Sequence, residues 1–200
     1  MAYVEGKLFM MNTSNVHEMK FGRPQTVLID AEVRPNGIIV NLGATLEDKG
    51  NRPDLDHVHS ISETVQTKVA GKFIVVAPEI NVEQYRTVDG QIGKFVLEVG
   101  ETYTAYQLSV LDRLEYSDAY FKDAAALKVG DKVNVQQKDA NGARFAKADT
   151  GGAMRIVSIV PLWLPVMLAP NTALLGGQGE GNLAKLMPQS CKMIKVEVEK

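Results

Sequence analysis

The stretch "RPDLDHVHS" (52–60) holds two of the chain's three histidines, His57 and His59, together with Asp54 and Asp56. Two neutral imidazoles and a carboxylate form a donor set that suits a divalent transition metal with one position left open. If His57-Val58-His59 is extended, both rings lie on one side of a strand and Asp54 or Asp56 can join them. A small metal-dependent enzyme using His57, His59 and Asp54 is therefore one reading of this chain. Against it, no third ligand is anchored elsewhere and His17 stands far off in the sequence. The preferred reading is a polar loop running into a strand, with no bound metal or other cofactor expected.

Other short motifs fare no better as chemistry. The "DTGG" of 149–152 matches the Asp-Thr-Gly of aspartic proteases, but that reaction needs a second carboxylate and an apolar preceding strand, and "RFAKA" is not apolar. The glycine run "GGQGEG" (176–181) lacks the Lys-Ser/Thr pair that a phosphate-binding loop requires. No Gly-x-Ser-x-Gly is present. Cys191, the single cysteine, sits beside a lysine with no local histidine, so a buried inert thiol is expected, and it can form no internal disulfide. The expectation is a protein that is not an enzyme and has no catalytic residues.

The 200 residues allow one elaborated domain or two small ones, and a hydrophobic share of 45% allows a sizeable core. Lys and Arg number 22 against 24 Asp and Glu, so the basic excess that drives nucleic-acid binding is missing. The longest apolar run, "IVSIVPLWLPVMLAP" (156–170), is broken by Pro161, Pro165 and Pro170, which argues against a membrane helix. The N-terminus has no charged head followed by an apolar run of signal-peptide length, so a soluble protein made in the cytoplasm is expected.

The periodicity is that of strands. In "TVLIDAEVRPNGIIVNLGATL" (26–46), Val27, Ile29, Ala31 and Val33 alternate with the residues between them, and Asn36-Gly37 carries turn chemistry, predicting a hairpin. "GKFIVVAPE" (71–79) reads as a central strand. Two more hairpins are predicted over 93–111, turning at Gly100-Glu101, and over 127–148, turning at "DANG" (139–142). "YSDAYFKDAAALKVG" (116–130) is the one helix candidate, with Gly130 just past its end. Residues 153–160 form a strand, and Ile194, Val196 and Val198 give the C-terminus another. The fold class is mainly β: a barrel or sandwich of short antiparallel hairpins with at most one short helix.

Apolar residues also occur in the flanks. Residues 1–25 read as an extended arm, with Met10, Met11 and Phe21 as candidate docking residues; an edge strand at a frayed terminus is the alternative. Residues 26–160 form the β-rich domain. Residues 161–200 comprise a proline-stiffened strap, a Gly-rich link and the terminal strand. The strap places Leu162, Trp163, Leu164, Val166, Met167 and Leu168 as candidate partner-binding residues, because stiff segments lose little entropy on docking and Trp and Met favour interface centres. The same strap could instead close the protein's own barrel.

The succession of "IIVNLG" (38–43) after an Asn-Gly turn, "VVAPEI" (75–80) followed by Tyr85, "GKFVLEVGETYTAYQLSVLD" (93–112) and "AALKVGDKVNV" (125–135) resembles a family of tailed-bacteriophage head proteins. These are the capsid decoration, cement or head-associated structural proteins, and the likeness covers about residues 26 to 160. It implies a virion protein that binds the major capsid protein, stabilises the phage head and self-associates, a trimer being one arrangement. It implies no role for "DLDHVH", and it involves no nucleic acid or membrane. A carbohydrate-binding or fibre-like module presenting Tyr103 and Tyr106 is a further reading.

Overall fold

The computed structural model describes residues 11–16, 24–46, 57–77, 96–139, 142–149, 151–165 and 188–200. The protein is mainly β, as its alternation requires. A five-stranded closed barrel is built from β2 (Gln25–Leu28), β4 (Ile39–Thr45), β5 (Val58–Ser62), β6 (Phe73–Val76) and β8 (Thr102–Gln107), in the order β2-β5-β4-β6-β8. Its pairings are antiparallel except β2 with β5. Against it lies a six-stranded antiparallel sheet of β1 (Met11–Asn15), β9 (Arg113–Ser117), β13 (Pro188–Val198), β12 (Met154–Pro165), β10 (Lys132–Val135) and β11 (Phe145–Lys147), in that spatial order. A short pair, β3 (Arg34–Pro35) with β7 (Val96–Leu97), completes the described strands.

The apolar doublets of the central strands explain how two layers share one chain. Val40 and Val75 belong to the core inside the barrel, with Val27, Ile29, Leu97 and Ala105. Their neighbours Ile39 and Ile74 join the larger core shared with the sheet. A strand sends successive side chains to opposite faces, so consecutive apolar residues mark strands covered on both sides. β8 does the same: Tyr103 packs on the barrel core and Tyr106 on the other. An aromatic cluster fills the second core, with Phe145 4.8 Å from Tyr116 and 5.1 Å from Phe121 between ring centroids.

Turns form where expected, but three segments differ from their sequence reading. Asn36-Gly37 does turn, with Gly37 at φ 80°, yet the flanking strands do not pair with each other. The Asn36 side chain accepts a hydrogen bond from Ala77 N–H at 2.8 Å, and Gly37 N–H donates to Val75 O at 2.9 Å. Tyr116 Oη donates to Gly37 O at 2.9 Å, and Tyr120 Oη donates to Asn36 O. These partners turn the chain out of β3 into a pairing of β4 with β5 and β6. Likewise Gly100 turns, donating to Ile29 O at 2.7 Å, but β7 pairs with β3 and β8 pairs with β2 and β6. The helix expected over 116–130 is replaced by the end of β9 and two 3₁₀ turns, Asp118–Tyr120 and Ala124–Ala126. Tyr116, Ser117, Ala119, Tyr120 and Phe121 are buried almost consecutively, which no single helix face allows, and Asp123 at φ 52° is left-handed. The third hairpin is present: Val133 faces Lys147 and Val135 faces Phe145 across β10 and β11, with both valines buried.

The two flanks enter the sheet. β1, the described part of the N-terminal segment, is its edge strand, pairing Met11 with Tyr116. The terminal β13 lies between β9 and β12, with Ile194, Val196 and Val198 fully buried. The part of β13 within the sheet is hydrogen-bonded on both sides within its own chain.

A methyl group added at Gly37 would lie 2.8 Å from both Cγ and Sδ of Met11, on a backbone that L-residues rarely adopt. Gly37→Ala is expected to cost about 1–3 kcal/mol. Urea unfolding checks this, and combining it with Met11→Ala should recover the steric part only.

Candidate functional site

The histidine pair does not form the expected donor set. His57 is exposed and has φ 70°, so it lies in a turn before β5 and the extended geometry that would align it with His59 is not met. The His59 Nδ1 contacts Gly43 O at 3.2 Å. Asp54 and Asp56 lie outside the described residues. Among the described residues no cluster of three His, Cys, Asp or Glu could hold a metal ion. Tyr103 is half-buried, with its Oη accepting from Glu98 N–H at 2.8 Å, and burial raises its phenol above the ordinary range. Tyr106 is also half-buried and packs on the larger core, on the opposite face of β8.

Two features could engage a ligand or partner. The first is a β-ribbon. β13 pairs with β9 only between Met193 and Glu197, whereas its pairing with β12 continues to Pro165 opposite Pro188. Pro161–Pro165 and Pro188–Lys192 thus pair only with each other among the described residues, extending the sheet by about 16 Å at strand rise. The base is fixed where Lys192 N–H donates to Asp118 Oδ2 at 3.3 Å.

That bond also reveals the ribbon's polarity. Lys192 N–H points away from β12, so Pro161, which faces Lys192, occupies a non-hydrogen-bonded pair and directs its nitrogen to the outer edge of β12. Trp163 and Pro165 share that direction by alternation. Beyond Ile156, whose N–H and C=O bond Asp131 and Gly130, no described strand pairs with this outer edge. Prolines at two of the three successive donor positions remove the N–H groups that another strand would need. Among the described residues this edge is therefore poor in donors for edge-to-edge pairing. Val160, 54% exposed, stands opposite Met193.

The candidate docking residues fall as follows. Leu162, Trp163 and Leu164 lie on the ribbon. Met11 is half-buried and packs on the larger core, where it covers Gly37. Met10, Phe21, Val166, Met167 and Leu168 lie outside the described residues. Cys191 is buried, and burial pushes its thiol up.

The second feature is a groove of about 440 Å³ lined by Ile61, Ser62 and Gln137 and by the charged Asp30, Glu32, Arg34, Glu63 and Lys138. Arg34 comes from β3, Glu63 follows β5 and Arg144 precedes β11, so barrel and sheet both contribute. The Glu63 carboxylate lies 2.5 Å from Arg34 Nε and also contacts Arg144 Nη1. Lys138 reaches Glu32 at 3.1 Å, and that hydrogen bond holds Glu32 below its ordinary range. Burial lowers the Arg144 guanidinium from its ordinary value, with Glu63 opposing it. Sequence reasoning missed this cluster, since Arg34 and Arg144 beside Asn-Gly turns carry no mark distinguishing them from surface charges.

On the sheet, Glu197 is 5% exposed and receives Arg113 Nε at 2.8 Å and Arg155 Nη2 at 2.9 Å. The bonds from Arg113 and then Arg155 hold its carboxyl below the ordinary range. Such an acid contributes stability fully above its unfolded value, about 4.3, and loses it as pH falls through the lower folded value. Urea midpoints at pH 7, 4 and 3 should therefore fall more steeply for the natural chain than for Glu197→Gln.

Comparison with protein-family models, curated proteins and solved structures finds no match to this chain. Among the described residues no helix is long and apolar enough to cross a membrane.

Proposed function

We propose that this chain is a virion structural protein, a β-rich cement or decoration subunit that binds the major capsid protein and stabilises the phage head. The observation that carries the reading is the ribbon, whose prolines remove N–H groups from its outer backbone edge and beside which the exposed Val160 stands. A subunit that must remain unaggregated before assembly and then grip a neighbour needs this combination. The succession of turn and strand motifs resembling phage head proteins supports the same reading, as does the near balance of charge. Repeated docking on a symmetric shell, with self-association into a trimer, would turn modest contacts into high avidity. Purified protein added to shells that lack it should co-sediment and raise their melting temperature. Absence of binding at saturating protein would end the proposal.

A further inference from the structure

Asn36-Gly37 is one of two Asn-Gly pairs in the chain, the other being Asn141-Gly142. This dipeptide has a chemistry of its own, because glycine carries no side chain to shield its backbone nitrogen. Once hydroxide has taken its proton, Gly37 N can bond to Asn36 Cγ while the Cγ–Nδ2 bond breaks and ammonia leaves with a proton from water. Water then opens the resulting succinimide at either carbonyl, giving aspartate or isoaspartate. The fold holds both reacting groups away from this step. Gly37 N–H donates to Val75 O at 2.9 Å, and the Asn36 side-chain oxygen accepts from Ala77 N–H at 2.8 Å, so the amide must leave its partner to reach the nitrogen. Tyr120 Oη and Tyr116 Oη donate to the backbone carbonyls of Asn36 and Gly37. Asn36 is 8% exposed and Met11 packs over Gly37, which leaves hydroxide little access to the N–H.

We propose that Asn36 is a latent deamidation site, sealed by the native fold and released when barrel and sheet part, where the reaction makes that opening permanent. The groups that clamp the turn come from separate parts of the chain. Val75 and Ala77 belong to the end of β6 and the residue after it, Tyr116 to β9, Tyr120 to the first 3₁₀ turn and Met11 to β1. Parting the layers therefore frees the turn, and chemistry in the open state withdraws chains from the refolding pool. Isoaspartate routes the backbone through Cβ and Cγ, which lengthens it by a methylene and turns the carbonyl bonded by Tyr120 into a free carboxylate. Aspartate instead puts a charge where a buried neutral amide stood, which is costly. The inference concerns the integrity of the subunit and stands or falls apart from capsid binding.

The test is peptide mapping by mass spectrometry of the full chain, incubated in mildly alkaline buffer with and without denaturing guanidinium chloride, with Asn36 and Asn141 followed separately. Asn36 is expected to convert at least tenfold more slowly in the native chain than in the denatured one. Tyr116→Phe, which removes the donor to Gly37 O, should raise the native rate at least threefold and leave the denatured rate unchanged. The comparison within the natural chain stands whether or not that variant folds. For the consequence, Asn141→Ser leaves Asn36-Gly37 as the only Asn-Gly pair. Chains of this variant deamidated in denaturant should not regain, after dilution, the urea midpoint of untreated chains. A difference of less than tenfold between native and denatured rates would overturn the sealing. Deamidated Asn141→Ser chains that refold to the original midpoint would overturn the permanence.

Discussion

Glu63→Ala is expected to destabilise the protein by about 3–5 kcal/mol, the range for removing one partner from a buried ion cluster. Its side chain is 18% exposed, and those of Arg34 and Arg144 are 10% and 3% exposed, so little water is at hand to replace the lost carboxylate. Two guanidiniums would be left facing each other across the junction of barrel and sheet. The contrast is Lys132–Glu199, a pair at 2.6 Å with the lysine 44% exposed, where Glu199→Ala should change stability by no more than about 1 kcal/mol. Urea midpoints for both variants make the comparison, and a loss below about 1 kcal/mol for Glu63→Ala would contradict the account of the cluster. Replacing Arg34, Glu63 and Arg144 together by Met, Leu and Met should cost far less than the single change, because no charge is then stranded.

A chain ending at residue 187 should lose the six-stranded sheet altogether. β13 supplies the partner for β9 on one side and β12 on the other, and Ile194 and Val196 fill the shared core. The last residue also binds the barrel, since Lys200 O accepts from Val69 N–H at 2.6 Å and Ala70 N–H at 3.1 Å. Ile194→Ala alone is expected to cost about 2–5 kcal/mol, the usual toll of emptying a buried aliphatic site. Circular dichroism and thermal unfolding would check both variants. A truncated chain that still unfolds cooperatively, with native strand content, would show that residues 1–187 suffice without the terminal strand.

Local chemistry in the sequence foretold turns better than partners. Asn36-Gly37, Gly100 and the Asp139–Gly142 segment all turn, because backbone preference acts over four residues. Which strand each turn delivers to depends on contacts far along the chain, such as Tyr116 with Gly37, and only the hairpin of β10 and β11 pairs as the local pattern implies. The alanines of 124–126 favoured a helix by propensity, but burial of Tyr120 and Phe121 overrode it. The strap was legible as proline-stiffened apolar chain; that its residues 161–165 form one strand of a ribbon depends on residues 188–192, which no period links to them. Arg34, Glu63 and Arg144 converge from three separate segments, and an aperiodic charge gives no sequence signal of that kind.

Hydrogen–deuterium exchange of the full chain, free and bound to capsid shells, tests the ribbon most directly. Protection gained on binding should appear in the amides of 157–164 and 189–193, with the barrel strands unchanged. Binding that protects only residues elsewhere, leaving the ribbon amides exchanging as in the free chain, would contradict it.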